Sequence, residues 1–95
     1  MVTRKRIART GKVRVTFVFA RPEASAVQLL GDFTDWEARA MRPYPDGTWR
    51  LTLDLAPGRE FRFRYLLDGA RWENDSAADR YEPNPYGSDD SVVAT

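Results

Sequence analysis

A chain of 95 residues with a formal net charge of +1 makes one domain, and at this size folding buries only about 60–65% of the unfolded surface, so the core is small. It contains no Cys and no His, which excludes a disulfide framework, thiolate metal centres and histidine-based acid–base or metal chemistry. No apolar run approaches the roughly 20 residues of a membrane-spanning helix, and the basic start lacks the apolar stretch of a secretory signal; the expectation is a soluble cytoplasmic protein.

The near-neutral total hides a polarity. Residues 1–21 carry seven Lys or Arg and no acid, whereas residues 68–95 carry seven acids against Arg71 and Arg80. Such ends either attract each other or lie on opposite sides. Residues 1–11 read as a basic arm or an extra edge strand whose cations guard the edge against aggregation. Phosphate contact by such a segment is nonspecific and salt-dependent, and nucleic acid is not an expected partner.

From Val13 onward the pattern has period two. Val13, Val15, Phe17 and Phe19 share one face, and Lys12, Arg14 and Thr16 the other. Residues 26–31 form a short apolar run. Trp49, Leu51, Leu53 and Leu55 alternate with Arg50, Thr52 and Asp54; Phe61, Phe63, Tyr65 and Leu67 alternate with Arg62, Arg64 and Leu66; residues 91–94 read as a last strand. The turn dipeptides Asp46-Gly47, Pro57-Gly58 and Asp68-Gly69 fall between these runs. No segment shows a convincing helical period. Short strands with Gly/Pro turns predict an all-β sandwich or barrel spanning residues 1–95, with irregular connections at 32–48 and 74–90. Long ordered connections of this kind tend to be functional.

The three tryptophans differ. Trp49 is in phase with the leucines of its strand and belongs to the core. Trp36 has no phase: it follows the Thr34-Asp35 turn, where Phe33 can tuck under the loop, and it either plugs the loop or is displayed. For Trp72 the register decides. A three-residue loop over 68–70 sets Leu66 opposite Trp72 and puts the indole on the Arg62/Arg64 face; a two-residue turn sends it into the core. Gly69 sits mid-loop rather than last, so the register stays open. In the outer register Trp36, Arg64 and Trp72 form an aromatic surface beside hydrogen-bonding groups. That suits a pyranose, whose C–H face stacks on aromatic rings while its hydroxyls take a polar rim. Single-stranded nucleic acid is the rival ligand for such a surface.

Residues 27–36, VQLLGDFTDW, resemble the V-x-x-x-G-x-F-N-x-W signature of carbohydrate-binding module family 48. Residues 46–72, DGTWRLTLDLAPGREFRFRYLLDGARW, are similar to that family's next stretch, and residues 84–93, NPYGSDDSVV, to its closing segment. The family includes the glycogen-binding domain of the AMP-activated protein kinase β subunit and the early-set N-terminal domains of branching enzymes, isoamylases and pullulanases. The resemblance implies an immunoglobulin-like early-set β-sandwich that binds α-1,4-glucans: glycogen, starch or maltooligosaccharides. It implies Trp36 and Trp72 as stacking platforms and Arg64 as a hydrogen-bond donor where the family often has Lys. Tyr86, Ser88 and Asp90 stand where the kinase-subunit domain has Leu, Thr and Asn lining the sugar. Thr34 replaces the motif Asn at the turn before Trp36. Arg64 offers a planar fork in place of a point donor, and Asp90 an acceptor in place of an amide that both donates and accepts.

No catalytic residue is expected. The local carboxylate pairs (Asp32 with Asp35, Glu73 with Asp75, Asp89 with Asp90) sit in turns, where Asp is ordinary. In the enzymes the chain resembles, catalysis belongs to a separate (β/α)₈ barrel. Glu73, Asn74, Asp75 and Asp79 lack the spacing of a calcium loop, so no metal and no cofactor are expected. The expectation is a stand-alone, non-catalytic glucan-binding module that brings a glycogen-metabolising partner enzyme to its polymer. The alternative is a protein-interaction module on the same sandwich that has lost the sugar.

Overall fold

The alternating segments all become strands in the computed structural model, which describes residues 1–95. In chain order these are β1 (Val2–Arg6), β2 (Val13–Ala20), β3 (Val27–Gly31), β4 (Arg39–Ala40), β5 (Arg42–Pro43), β6 (Thr48–Leu55), β7 (Glu60–Leu67), β8 (Arg71–Glu73), β9 (Arg80–Pro83) and β10 (Asp89–Ala94). The one helical element is a 3₁₀ turn at Asp32–Thr34, and no helix is long and apolar enough to cross a membrane.

Two antiparallel sheets result. One has the order β1-β2-β6-β5; the other runs β4-β3-β7-β10-β9, with β8 also paired to β7. Most of the inward residues expected from period two meet between them, Leu51, Leu53 and Phe61 only half-buried against the cluster, and they are joined by Val27, Leu29 and Val93. Val13, Val15, Phe17, Phe19, Trp49 and Leu55 come from the first sheet, and Val27, Leu29, Phe63, Tyr65, Leu67 and Val93 from the second. The molecule is an all-β, immunoglobulin-like sandwich. Phe19 stacks on Tyr65 with centroids 4.2 Å apart, and Phe17 meets Phe63 edge-on at 5.1 Å. Such pairs add about 0.5–1.5 kcal/mol each beyond burial. Trp49 is buried as its phase requires, and its indole N–H donates to the Arg21 carbonyl at 3.0 Å.

The basic start is an edge strand, β1, laid along β2 with Val2 opposite Phe17 and Arg6 opposite Val13. The polarity of the sequence is partly closed by attraction, because Arg4 is ion-paired with Asp79 and also donates to the Ala94 carbonyl. The connections at 32–48 and 74–90 are less irregular than the sequence suggests: the first contains β4 and β5, and the second β9. Two-residue strands carry no readable alternation. β9 is an edge strand whose residues Arg80, Tyr81, Glu82 and Pro83 show no apolar face.

Strand β7 positions the candidate face. One edge is covered by β3, from Val27 opposite Leu67 to Gly31 opposite Phe63. The other edge is shared: β10 pairs with its first half, Ser91 opposite Phe63, and β8 with its second half, Tyr65 opposite Glu73.

Candidate functional site

With Phe63, Tyr65 and Leu67 turned inward, Arg62, Arg64 and Leu66 must face outward. Register then fixes their neighbours. Gln28, Leu66 and Trp72 form one outer row, Leu30 and Arg64 the next, and Arg62, Val92 and Arg80 a third. The loop over 68–70 therefore takes its three-residue form, with Leu66 opposite Trp72. Asp68 (φ 52°) and Gly69 (φ 69°) are both left-handed, and Ala70 N–H closes on the Leu67 carbonyl at 3.0 Å. Asp68 also accepts the backbone N–H groups of Ser25 and Ala26, tying this hairpin to the loop before β3.

Trp36 is brought to the same face by the turn that ends β3. Phe33 folds under the turn against Phe17, Phe61 and Phe63. Thr34, in the place of the motif Asn, is buried. Its hydroxyl accepts the Gly31 N–H and donates to the Glu37 carbonyl at 2.9 Å, bracing a turn that the Trp36 N–H also closes on the Gly31 carbonyl at 2.9 Å. Asp35 (φ 53°) and Trp36 (φ 59°) are then both left-handed, a rare state for a bulky residue that costs about 1–3 kcal/mol. The Trp36 indole N–H donates to Asp32 Oδ1 at 3.0 Å. Trp36 and Trp72 remain 37% and 45% exposed.

Both indoles border one cavity of about 670 Å³, together with Asp32, Arg62, Arg64, Asn84, Pro85, Tyr86 and Asp90. Of the residues expected at the site, Trp36, Arg64, Trp72, Tyr86 and Asp90 are brought together there. Tyr86 projects almost wholly into solvent, at 92% exposure. Ser88 does not line the cavity; it is exposed beside it, with its Oγ 3.3 Å from Arg64 Nη1 and 3.0 Å from Asn84 Nδ2. Asp90 is nearly buried: Oδ1 accepts from Asn84 Nδ2 at 3.1 Å, and Oδ2 lies 3.7 Å from Arg62 Nη1. The added charge of Asp90 is thus met by a cation within the site. Arg62 is also ion-paired with Glu82. The Arg64 guanidinium lies 5.7 Å from the Trp72 ring centroid, and its Nε–H has no partner.

Asn84 is the residue the sequence reading missed. Its Oδ1 accepts from the N–H groups of Tyr86 and Ser88 while its Nδ2 donates to Ser88 and Asp90, so one side chain shapes the closing loop. The Asn-Pro dipeptide signals a turn, but nothing in it signals this network. Arg62 and Asp32 were legible only as an outward strand residue and a turn residue.

Several other carboxylates hold the chain. Asp46, Asp68, Asp75 and Asp79 each accept a backbone N–H, and Glu73 is ion-paired with Arg21. Asp75 is buried and accepts the Tyr65 hydroxyl at 2.7 Å. No group of three or more acidic side chains is gathered as a metal would require.

The model of carbohydrate-binding module 48 (isoamylase N-terminal domain) matches residues 6–87. A 1,4-alpha-glucan branching enzyme, GlgB, of Bordetella pertussis is 43% identical over 54 residues, 53% of this chain and 7% of that protein. The GlgB of Photobacterium profundum is 34% identical over 84 residues, 83% of this chain and 12% of that protein. The chain thus matches about a tenth of the length of these relatives. On a match that runs over most of its residues, together with the sandwich and its outward aromatic face, the chain belongs to carbohydrate-binding module family 48 and is a non-catalytic module.

Proposed function

We propose that this module binds α-1,4-linked glucans (glycogen, starch and maltooligosaccharides), with the Trp36 and Trp72 rings stacking on pyranose C–H faces. Arg64 and Asp90 meet the hydroxyls, Tyr86 extends the aromatic surface, and Ser88 holds Arg64 in place. The observation that carries this reading is two partly exposed indoles bordering one cavity whose rim is polar. That is the amphipathic complement of a sugar ring. The naming of its relatives as 1,4-alpha-glucan branching enzymes agrees with the ligand class. Docking to the polymer would concentrate a glycogen-metabolising enzyme on its substrate.

Titration with maltoheptaose or β-cyclodextrin tests this through intrinsic tryptophan emission, which should shift at millimolar sugar. Trp36→Ala and Trp72→Ala should each weaken binding by about thirtyfold or more and release the protein from glycogen in pull-down. Retention of the double variant on glycogen would overturn the site. A folded protein whose emission ignores the sugar would favour the interaction module instead.

A further inference from the structure

Asp32 follows the last residue of β3, at the point where β3 stops covering β7: the pairing ends at Gly31 opposite Phe63. Its two oxygens go to different elements. Oδ2 accepts the backbone N–H of Arg62 at 2.8 Å, which prolongs the ladder by one bond after β3 has left it. Oδ1 accepts the Trp36 indole N–H at 3.0 Å. A rigid carboxylate therefore links the indole to the strand that carries Arg62 and Arg64. The indole hangs from two consecutive left-handed residues, Asp35 and Trp36, a backbone state that persists only where the surroundings enforce it. Charge-assisted bonds of this kind are about twice as strong as neutral ones. Because the bond occupies the indole N–H, Trp36 is left to offer a ligand its ring face.

We propose that Asp32 is a positioning residue of the site, pinning the Trp36 indole to β7 and so fixing the ring plane that a sugar meets. The proposal rests on the glucan-binding reading for its ligand, but the pinning itself can be read without sugar. In ¹H–¹⁵N spectra of the full chain, assigned with Trp36→Phe, Trp49→Phe and Trp72→Phe, the Trp36 indole N–H should exchange with water about tenfold or more slower than that of Trp72. Asp32→Ala should remove this protection and leave the Trp49 resonance in place. Maltoheptaose affinity should fall about tenfold in Asp32→Ala. In a Trp36→Phe background, where no indole N–H remains, the same change should cost less than about twofold. Equal exchange rates for Trp36 and Trp72 in the unsubstituted protein would overturn the pinning, even if Asp32→Ala does not fold. Equal affinity losses in both backgrounds would reduce Asp32 to its bond with Arg62. Failure of the unsubstituted protein to bind any glucan would instead refute the ligand, with the indole exchange still deciding the pinning.

Discussion

Gly31 opens the turn with φ −173°, an extended conformation open to any residue. What excludes a side chain is space. A Cβ there would lie 2.6 Å from the Arg62 carbonyl oxygen and 2.9 Å from Phe63 Cβ, because β3 and the Phe33 ring press against β7 at this point. Gly31→Ala should therefore cost about 1–3 kcal/mol by overpacking, read as a lowered midpoint in urea with an unchanged slope. The tryptophans give the complementary test. Trp49 is buried in the core cluster, and Trp49→Ala should cost about 3–5 kcal/mol. Trp72 stands on the outer face, and Trp72→Ala should move the same denaturation curve by less than about 1 kcal/mol. Identical chemistry gives opposite outcomes because one indole fills the space between two sheets and the other covers the surface of one.

At the scale of elements, the β7–β8 hairpin and the 84–88 loop together shape the aromatic face. The hairpin turns on a left-handed pair, Asp68-Gly69, with Ala70 inserted before pairing resumes between Leu67 and Arg71. Removing Ala70 would leave a two-residue Asp-Gly turn, which favours this conformation by itself. The deletion should keep Leu66 opposite Trp72, seen as cross-strand nuclear Overhauser contacts, and should keep the protein on glycogen. In the 84–88 loop, Asn84 accepts from two backbone N–H groups and donates to two side chains. Asn84→Ala should therefore release Tyr86 and Ser88 and weaken maltoheptaose binding severalfold. The core does not contain Asn84, so the melting temperature should fall by less than about 4 °C.

For the whole molecule, ionisation sets a window of stability. The carboxyls of Asp46, Asp54 and Glu82 are held below their ordinary values by hydrogen bonds from Thr48, Arg14 and Arg80 respectively. Asp79, although its burial works against this, is lowered by the Ala94 N–H and Arg4. In the unfolded chain these groups take up protons near pH 4, before the folded protein does, so their contribution is complete above that pH and is lost as the pH falls through the folded values. Tyr65 acts at the other end. Burial first, then the charge of Asp75, pushes its hydroxyl far above the ordinary value. The unfolded chain ionises there near pH 10 and the folded protein does not, so stability falls as the pH rises past that point. Thermal melts should show a plateau between about pH 5 and pH 9 and a decline on both sides. In Tyr65→Phe the alkaline decline should be reduced.

The alternation of apolar residues by itself determined an all-β sandwich or barrel, its main strands and the burial of Trp49, because a strand with one face in the core has a period that can be counted. The indoles of Trp36 and Trp72 were beyond that count. A turn has no period, and a one-residue slip of register in a hairpin exchanges its faces. The family resemblance implied the display of both indoles; the tertiary structure decided it, by closing the 68–70 loop on Leu67 and seating Phe33 under the Gly31 turn, which put both rings on the outer side of one sheet. Asn84 and Asp32 became visible at the same step. Their importance lies in partners that are near in space and, for Asp32 and Arg62, thirty residues away in the chain.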